Sequence, residues 1–233
     1  MNPMLEFIIS IKKELILLSF DSMTKVLRHP LFISLYFICC VSAFFYWDKP
    51  IALYIHTKNM NDFKVFLEIA THLGSNKIYL VGLILLALIF RFVTQNRLWE
   101  MRTWFLWLCI FIPNLICTGL KIILGRARPE LLFEQGLYGF YGFHDIRPYW
   151  SFPSGHTTTA MSLVFGLSIL FPRYWLAFFT TGLMIVSTRL MLTQHYLSDL
   201  MVATYLAFIE VYFLFYLLKK YQFGQKQGVF NQQ

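Results

Sequence analysis

Arg189, His195 and Asp199 are spaced as R-x5-H-x3-D, and two further groups stand upstream in order. Lys121, Arg128 and Pro129 form K-x6-RP, and Pro153, Ser154, Gly155 and His156 form PSGH. Three cations, two histidines and a carboxylate are what a protein needs to grip a phosphate dianion and pass it through a covalent intermediate. On a helix, His195 and Asp199 stack on one face. A carboxylate on one ring nitrogen fixes the tautomer and frees the other nitrogen as a nucleophile. Arg189 can bind an equatorial oxygen with both arms of its guanidinium. Ser154 is a favourable N-cap, and the free N–H groups of the helix it opens form a cradle for an anion, with Gly155 allowing close approach. The Ser154 hydroxyl can also donate to a phosphate oxygen. His156, in the first turn, is placed to protonate a leaving alkoxide. Two helical turns separate Lys121 and Arg128, so a continuing helix would put both on one face. Pro129 disfavours helix at Arg128 and turns the chain away. Arg126 adds a nearby charge that either joins this group or ends a membrane helix by reaching back to the interface.

The elements that must position these residues read as membrane spans. The chain has 233 residues, 58% hydrophobic and only 14% charged, against about 25% charged in soluble domains. Apolar runs lie at about 31–47, 78–93, 104–124, 156–172, 174–192 and 199–218, each approaching the ~20 residues that cross a bilayer. The expected fold class is therefore all-α: a polytopic membrane bundle of six transmembrane helices plus interfacial amphipathic helices. Residues 1–28 are expected to form a cytoplasmic or interfacial segment, 29–220 the membrane domain and 221–233 a cytoplasmic tail. With both termini inside, inner segments hold 11 of the 20 Lys and Arg residues, and three of the outer nine are Lys121, Arg128 and Arg189. The positive-inside bias thus favours cytoplasmic termini. All three motifs then fall at the outer ends of helices three to six. The net charge of +8 suits anionic lipid better than nucleic acid, because no soluble basic domain is present to hold the latter.

Several segments are less directive. Leu5, Ile8, Ile9, Leu15 and Ile16 suggest an amphipathic helix on the inner surface, although a loosely ordered tail fits as well. Phe63, Phe66, Leu67, Ala70 and Leu73 recur at helical spacing, with Asp62 as a candidate cap and Gly74 as a candidate stop. Cys39, Cys40, Cys109 and Cys117 lie inside expected spans and read as small apolar residues, with no metal-ligand spacing. The aromatic segment between Gly125 and Phe152 reads as an interfacial belt, or as a lid or groove for a large headgroup. Glu130, Glu134, His144, Asp145 and Arg147 lie in it without an assigned role. Glu210 lies deep in the last span, where a carboxylate is costly, and is read as a structural contact.

Taken together, K-x6-RP, PSGH and R-x5-H-x3-D resemble the type 2 phosphatidic acid phosphatase family, the membrane lipid phosphate phosphatases. The resemblance covers about 31–218. One departure stands where the family's third motif usually begins Ser-Arg: here it is Thr188-Arg189. What the resemblance implies is a two-step phosphoryl transfer with no metal and no cofactor. His195 would attack phosphorus, oriented by Asp199. His156 would protonate the leaving lipid oxygen and then activate water. Lys121, Arg128, Arg189, Ser154 and Gly155 would hold the equatorial oxygens. The implied substrate is a bilayer lipid phosphate: the phosphate of lipid A, undecaprenyl pyrophosphate, phosphatidylglycerol phosphate or phosphatidic acid. The implied setting is the periplasmic face of a bacterial inner membrane. A lipid phosphotransferase, a non-enzymatic lipid-phosphate binder or transporter, and a vanadate-bearing haloperoxidase remain as alternatives.

Overall fold

The computed structural model describes residues 20–58, 61–221, 223 and 228–230. The expected amphipathic helix over residues 5–16 and most of the 221–233 tail lie outside the described residues. Among the described residues there is no strand, and nine helices account for the architecture. They are α1 (Phe20–Leu27), α2 (Pro30–Thr57), α3 (Asn61–His72), α4 (Asn76–Val93), α5 (Arg97–Leu124), α6 (Pro129–Gln135), α7 (Gly155–Leu170), α8 (Trp175–Met191) and α9 (Leu197–Lys220). Four of them, α2, α4, α5 and α9, are long and apolar enough to cross a membrane by length and composition. The fourth and fifth expected spans are helices of 16 and 17 residues.

At 16 residues α7 is shorter than a full span, and it lies inside the bundle rather than at its edge. It packs against α5, α8 and α9 at the centre of the bundle. Thr157, Thr158, Thr159, Ser162 and Ser168 are buried along it. Hydroxyls and small side chains let helices approach closely where no hydrophobic force drives them together. The outward faces of the peripheral helices, by contrast, expose Phe37, Phe45, Val81, Leu115 and Phe213, the apolar surface that a bilayer would cover. The core itself is built on Phe105, Cys109, Met161, Val164, Phe165, Leu200, Ala207, Phe208 and Val211. Gly182 makes the α7–α8 crossing possible: a Cβ there would sit 2.6 Å from a methyl of Val164.

Expected and observed boundaries differ at two places that matter for the site. The first apolar run ends before Asp48, yet α2 continues through it to Thr57, with a π-helical stretch at Ala43–Trp47. Asp48 is 1% exposed and therefore belongs to the bundle rather than to an interfacial loop. Second, α5 does not continue past Leu124, so Lys121 and Arg128 do not share a helical face. Gly125 ends the helix in the left-handed region, φ 51°, which is nearly free only for glycine. A Cβ at this position would also lie 1.9 Å from the Gly142 carbonyl oxygen.

Helix α3 ends at His72, two residues before Gly74, which lies in the turn that follows. The expected cap at Asp62 lies outside the described side chains. The four cysteines are free, with Cys39 exposed and the other three buried.

Candidate active site

The chain reversal at Gly125 separates three basic residues by function. Lys121, in the last turn of α5, donates to the Trp150 carbonyl at 2.8 Å. Arg126 turns inward and is fully buried. Arg128 is the extended N-cap of α6, φ −75° and ψ 162°, with Pro129 at the first helical position. Its backbone N–H donates to the Pro148 carbonyl at 2.9 Å, and its side chain reaches Gln194 at 3.4 Å.

Ser154 is the N-cap of α7, accepting from the Thr157 N–H at 3.5 Å and from the Thr157 hydroxyl at 3.1 Å. It is fully buried. The hydroxyl thus serves the helix start rather than facing open space. Gly155 follows it with open space for approach: a Cβ there would meet nothing nearer than the Lys121 side chain at 3.7 Å. Arg189 sits in the last turn of α8 and donates to the Thr71 hydroxyl at 2.9 Å. The preceding Thr188 is buried, and its hydroxyl donates back to the Ile185 carbonyl at 2.6 Å. The family-like serine position is therefore spent inside its own helix. After α8 the chain turns through Thr193, φ 50°, and brings His195 to the cavity that Lys121 and Arg189 also line.

Lys121, Arg128, Gly155, His156, Arg189 and His195 line one cavity of about 430 Å³, together with Arg147, Trp150, Cys117, Gly74 and a polar floor of Asn76, Asn114, Thr118 and Thr159. Four cations and no carboxylate are among the lining residues, so the cavity attracts an anion of more than one charge. Ser154, Asp199 and Thr188 are not in the lining. Glu210 is likewise absent from it, half-buried along α9 with one carboxylate oxygen unpartnered. Among the described residues no cluster of three or more His, Cys, Asp and Glu has metal-ligating geometry.

The His195 ring is held differently from the sequence expectation. It is 2% exposed, and its Nδ1 lies 2.7 Å from the Ser151 carbonyl, whereas the nearer Asp199 oxygen is 3.6 Å away. A carbonyl only accepts, so Nδ1 carries the proton and Nε2 keeps its lone pair. Burial pushes the imidazole down to about 3, the Asp199 carboxylate opposes this, and Lys121 and Arg128 add to it. The ring is neutral near pH 7. Asp199 instead accepts from the Ser151 hydroxyl at 2.6 Å, from the Tyr196 N–H at 2.9 Å, and from Arg126. The carboxylate thus fixes the start of α9 and the loop that holds His195, and contributes its charge rather than a direct hydrogen bond.

Arg147, left without a role by the sequence, is the fourth cavity cation, and three residues that hold the site's side chains also escaped sequence reasoning. Ser151 sits in an aromatic loop with no spacing to mark it, Asp48 reads as the polar end of an apolar run, and Thr71 lies on an amphipathic stretch. Part of the aromatic segment packs inward and part stays exposed. Tyr138 and Phe140 pack their rings about 5.5 and 5.3 Å from the Arg126 guanidinium, while Phe143 and Ile146 stay exposed.

With this geometry in view, a family model described as PAP2 superfamily matches residues 102–223, just over half of the chain. Lipid A 1-phosphatases of Rhizobium johnstonii and Rhizobium etli are each 36% identical over 95 residues, 41% of this chain. The match spans only 39% and 41% of those two proteins. Phosphatidylglycerophosphatase B of Haemophilus influenzae is 26% identical over 231 residues, covering 81% of this chain and 95% of that one. Among solved structures, the crystal structure of Aquifex aeolicus LpxE superposes with a TM-score of 0.56, covering 74% of this chain and 96% of that one at 21% identity. That likeness is one of fold.

Proposed function

The chain belongs to the PAP2 superfamily, and from that premise we propose that it is an integral membrane lipid phosphatase working through a phosphohistidine. The observation that carries the reading is the shared cavity: both histidines and three motif cations, from α5, α6, α7, α8 and the loop before α9, line one space without a carboxylate.

The phosphate of a lipid enters with its equatorial oxygens on Lys121, Arg128 and Arg189 and on the N–H groups at the start of α7, near Ser154 and Gly155. The Nε2 lone pair of His195 attacks phosphorus in line. As the N–P bond forms and the P–O bond to the lipid breaks, a proton passes from His156 to the leaving oxygen. Asp199, with Ser151 on Nδ1, stabilises the positive charge that the phosphorylated imidazole acquires. Water then gives a proton to His156 and attacks phosphorus. The N–P bond breaks, inorganic phosphate leaves and neutral His195 returns. Each step needs positioning and charge neutralisation more than further covalent help, and the residues present supply both without a metal ion.

The substrate we favour is a bacterial envelope lipid phosphate. The relatives named for lipid A 1-phosphate and phosphatidylglycerophosphate hydrolysis support those two first. Undecaprenyl pyrophosphate and phosphatidic acid stay within the class. We place the site on the periplasmic side of the inner membrane, with six spans and both termini cytoplasmic.

Detergent-purified protein offered a panel of these lipids, with chelator present and no lipid acceptor, tests the reading. Free phosphate is expected from at least one lipid, and His195→Ala is expected to remove it. Turnover of none, or activity that vanishes in chelator, would contradict a metal-free hydrolase. Phosphate released only when a lipid acceptor is added would mark a phosphotransferase.

A further inference from the structure

Behind His195, on the side away from the cavity, Arg126 lies fully buried between two carboxylates whose side chains are themselves inaccessible. One arm of the guanidinium pairs with Asp199, and the other pairs with Asp48 at 2.7 Å. Asp48 also accepts from the Ser198 N–H at 2.9 Å and from the Ser198 hydroxyl. The rings of Phe44, Tyr138, Phe140 and Tyr196 surround the guanidinium at 4.7–5.5 Å.

The backbone closes the arrangement into a ring. The Ser151 N–H donates to the Arg126 carbonyl at 3.1 Å, the Ser151 carbonyl accepts a hydrogen bond from the His195 Nδ1–H, and the Ser151 hydroxyl donates to Asp199. A displacement of Arg126 therefore moves both Ser151, whose carbonyl orients the His195 ring, and Asp199, whose charge lies 3.6 Å from it.

Stability alone is a weak explanation for such a group. Desolvating three charges is expensive, and buried ion pairs are often no better for folding than apolar packing of the same volume. The charge count suggests another use. Arg126 alone would cancel Asp199. With Asp48 sharing the guanidinium, the trio keeps one net negative charge beside an imidazole that becomes positive when phosphorylated.

We propose that Arg126 and Asp48 are positioning residues of the phosphoryl-transfer site: they hold Ser151 and Asp199 on His195 and leave Asp199 its negative character. The proposal rests on the phosphatase reading above.

The test compares Asp48→Asn, which keeps the side-chain shape and drops the charge, with Arg126→Met and Arg126→Lys. Turnover per folded protein is measured with the best lipid of the panel. Binding of orthovanadate and of inorganic phosphate is read from ligand-induced shifts in Tm. Vanadate can expand to five-coordinate by taking the His195 Nε2 lone pair as an axial ligand, so its affinity reports the placement of that nitrogen, whereas phosphate needs only the cavity cations.

The expected result for Asp48→Asn is a fall in kcat of about tenfold or more with KM within about threefold, the pattern of a lost transition-state interaction. Vanadate affinity should fall by a similar factor and phosphate affinity should hold. Arg126→Lys should recover part of the kcat lost in Arg126→Met. Wild-type kcat in Asp48→Asn, or parallel loss of vanadate and phosphate binding, would overturn the proposal. Should the Arg126 variants fail to fold, Asp48→Asn decides alone. A wild-type protein that turns over no lipid phosphate sinks the phosphatase reading instead, and the vanadate comparison still decides this one.

Discussion

At the scale of single residues, the protonation of His195 sets a measurable pH dependence. An exposed histidine in the unfolded chain titrates near 6.5, but in the folded protein burial holds the ring down to about 3. Below pH 6.5 the unfolded state binds a proton that the folded state refuses. The stability contributed by neutral His195 is therefore complete above pH 6.5 and is lost as pH falls from there towards 3. Thermal unfolding in detergent is expected to show Tm falling over that window, less steeply in His195→Gln, whose amide does not titrate. Identical slopes for the two proteins would refute the assignment. The same shift keeps Nε2 unprotonated well below neutrality, so the acid limb of kcat/KM is expected to belong to another group.

At the scale of elements, each motif cation is delivered by a helix end rather than by a continuous helical face. Arg189 rides on the last turn of α8, and α8 sits where Gly182 lets it against Val164. Gly182→Leu must push the two helices apart, at a cost of about 1–3 kcal/mol. Since Arg189 moves with its helix, affinity for inorganic phosphate should drop along with Tm. Gly119→Ala is the control, because a Cβ there meets nothing within 4 Å; it should leave phosphate affinity unchanged and Tm unchanged or slightly raised, since alanine is favoured over glycine inside a helix by about 0.5–1 kcal/mol. A Gly182→Leu protein with wild-type Tm and phosphate affinity would show that α8 is not held in this way. The turn at Gly125 matters for the same reason, because it parts Lys121 from Arg126 and sends one to the cavity and the other behind it.

At the scale of the whole molecule, the reading requires Lys121, His156, Arg189 and His195 to face one side of the bilayer. In a cysteine-free background, Phe143→Cys on the aromatic loop and Tyr174→Cys at the α7–α8 turn mark opposite ends of the bundle; both positions are exposed. A membrane-impermeant maleimide added to intact bacteria should label the first and spare the second. The reverse pattern would put the site on the cytoplasmic side.

The sequence alone made legible the helical, apolar character of the chain and six of the residues that come to line one cavity: Lys121, Arg128, Gly155, His156, Arg189 and His195; it did not mark Arg147 or the Asn and Thr side chains beside them. Apolar run length is a local property, and the motif spacings are carried by residue types that few other uses demand together. It left open which span-like runs form the exposed wall and which form the polar, central helix α7, because hydropathy does not record what a helix packs against. Nor did it reveal that the Ser151 carbonyl, rather than Asp199, holds the His195 ring, or that Asp48 and Arg126 stand behind both. Those contacts join residues 44–150 positions apart, and only the folding of α2 against α9 and the aromatic loop brings their charges within hydrogen-bonding reach.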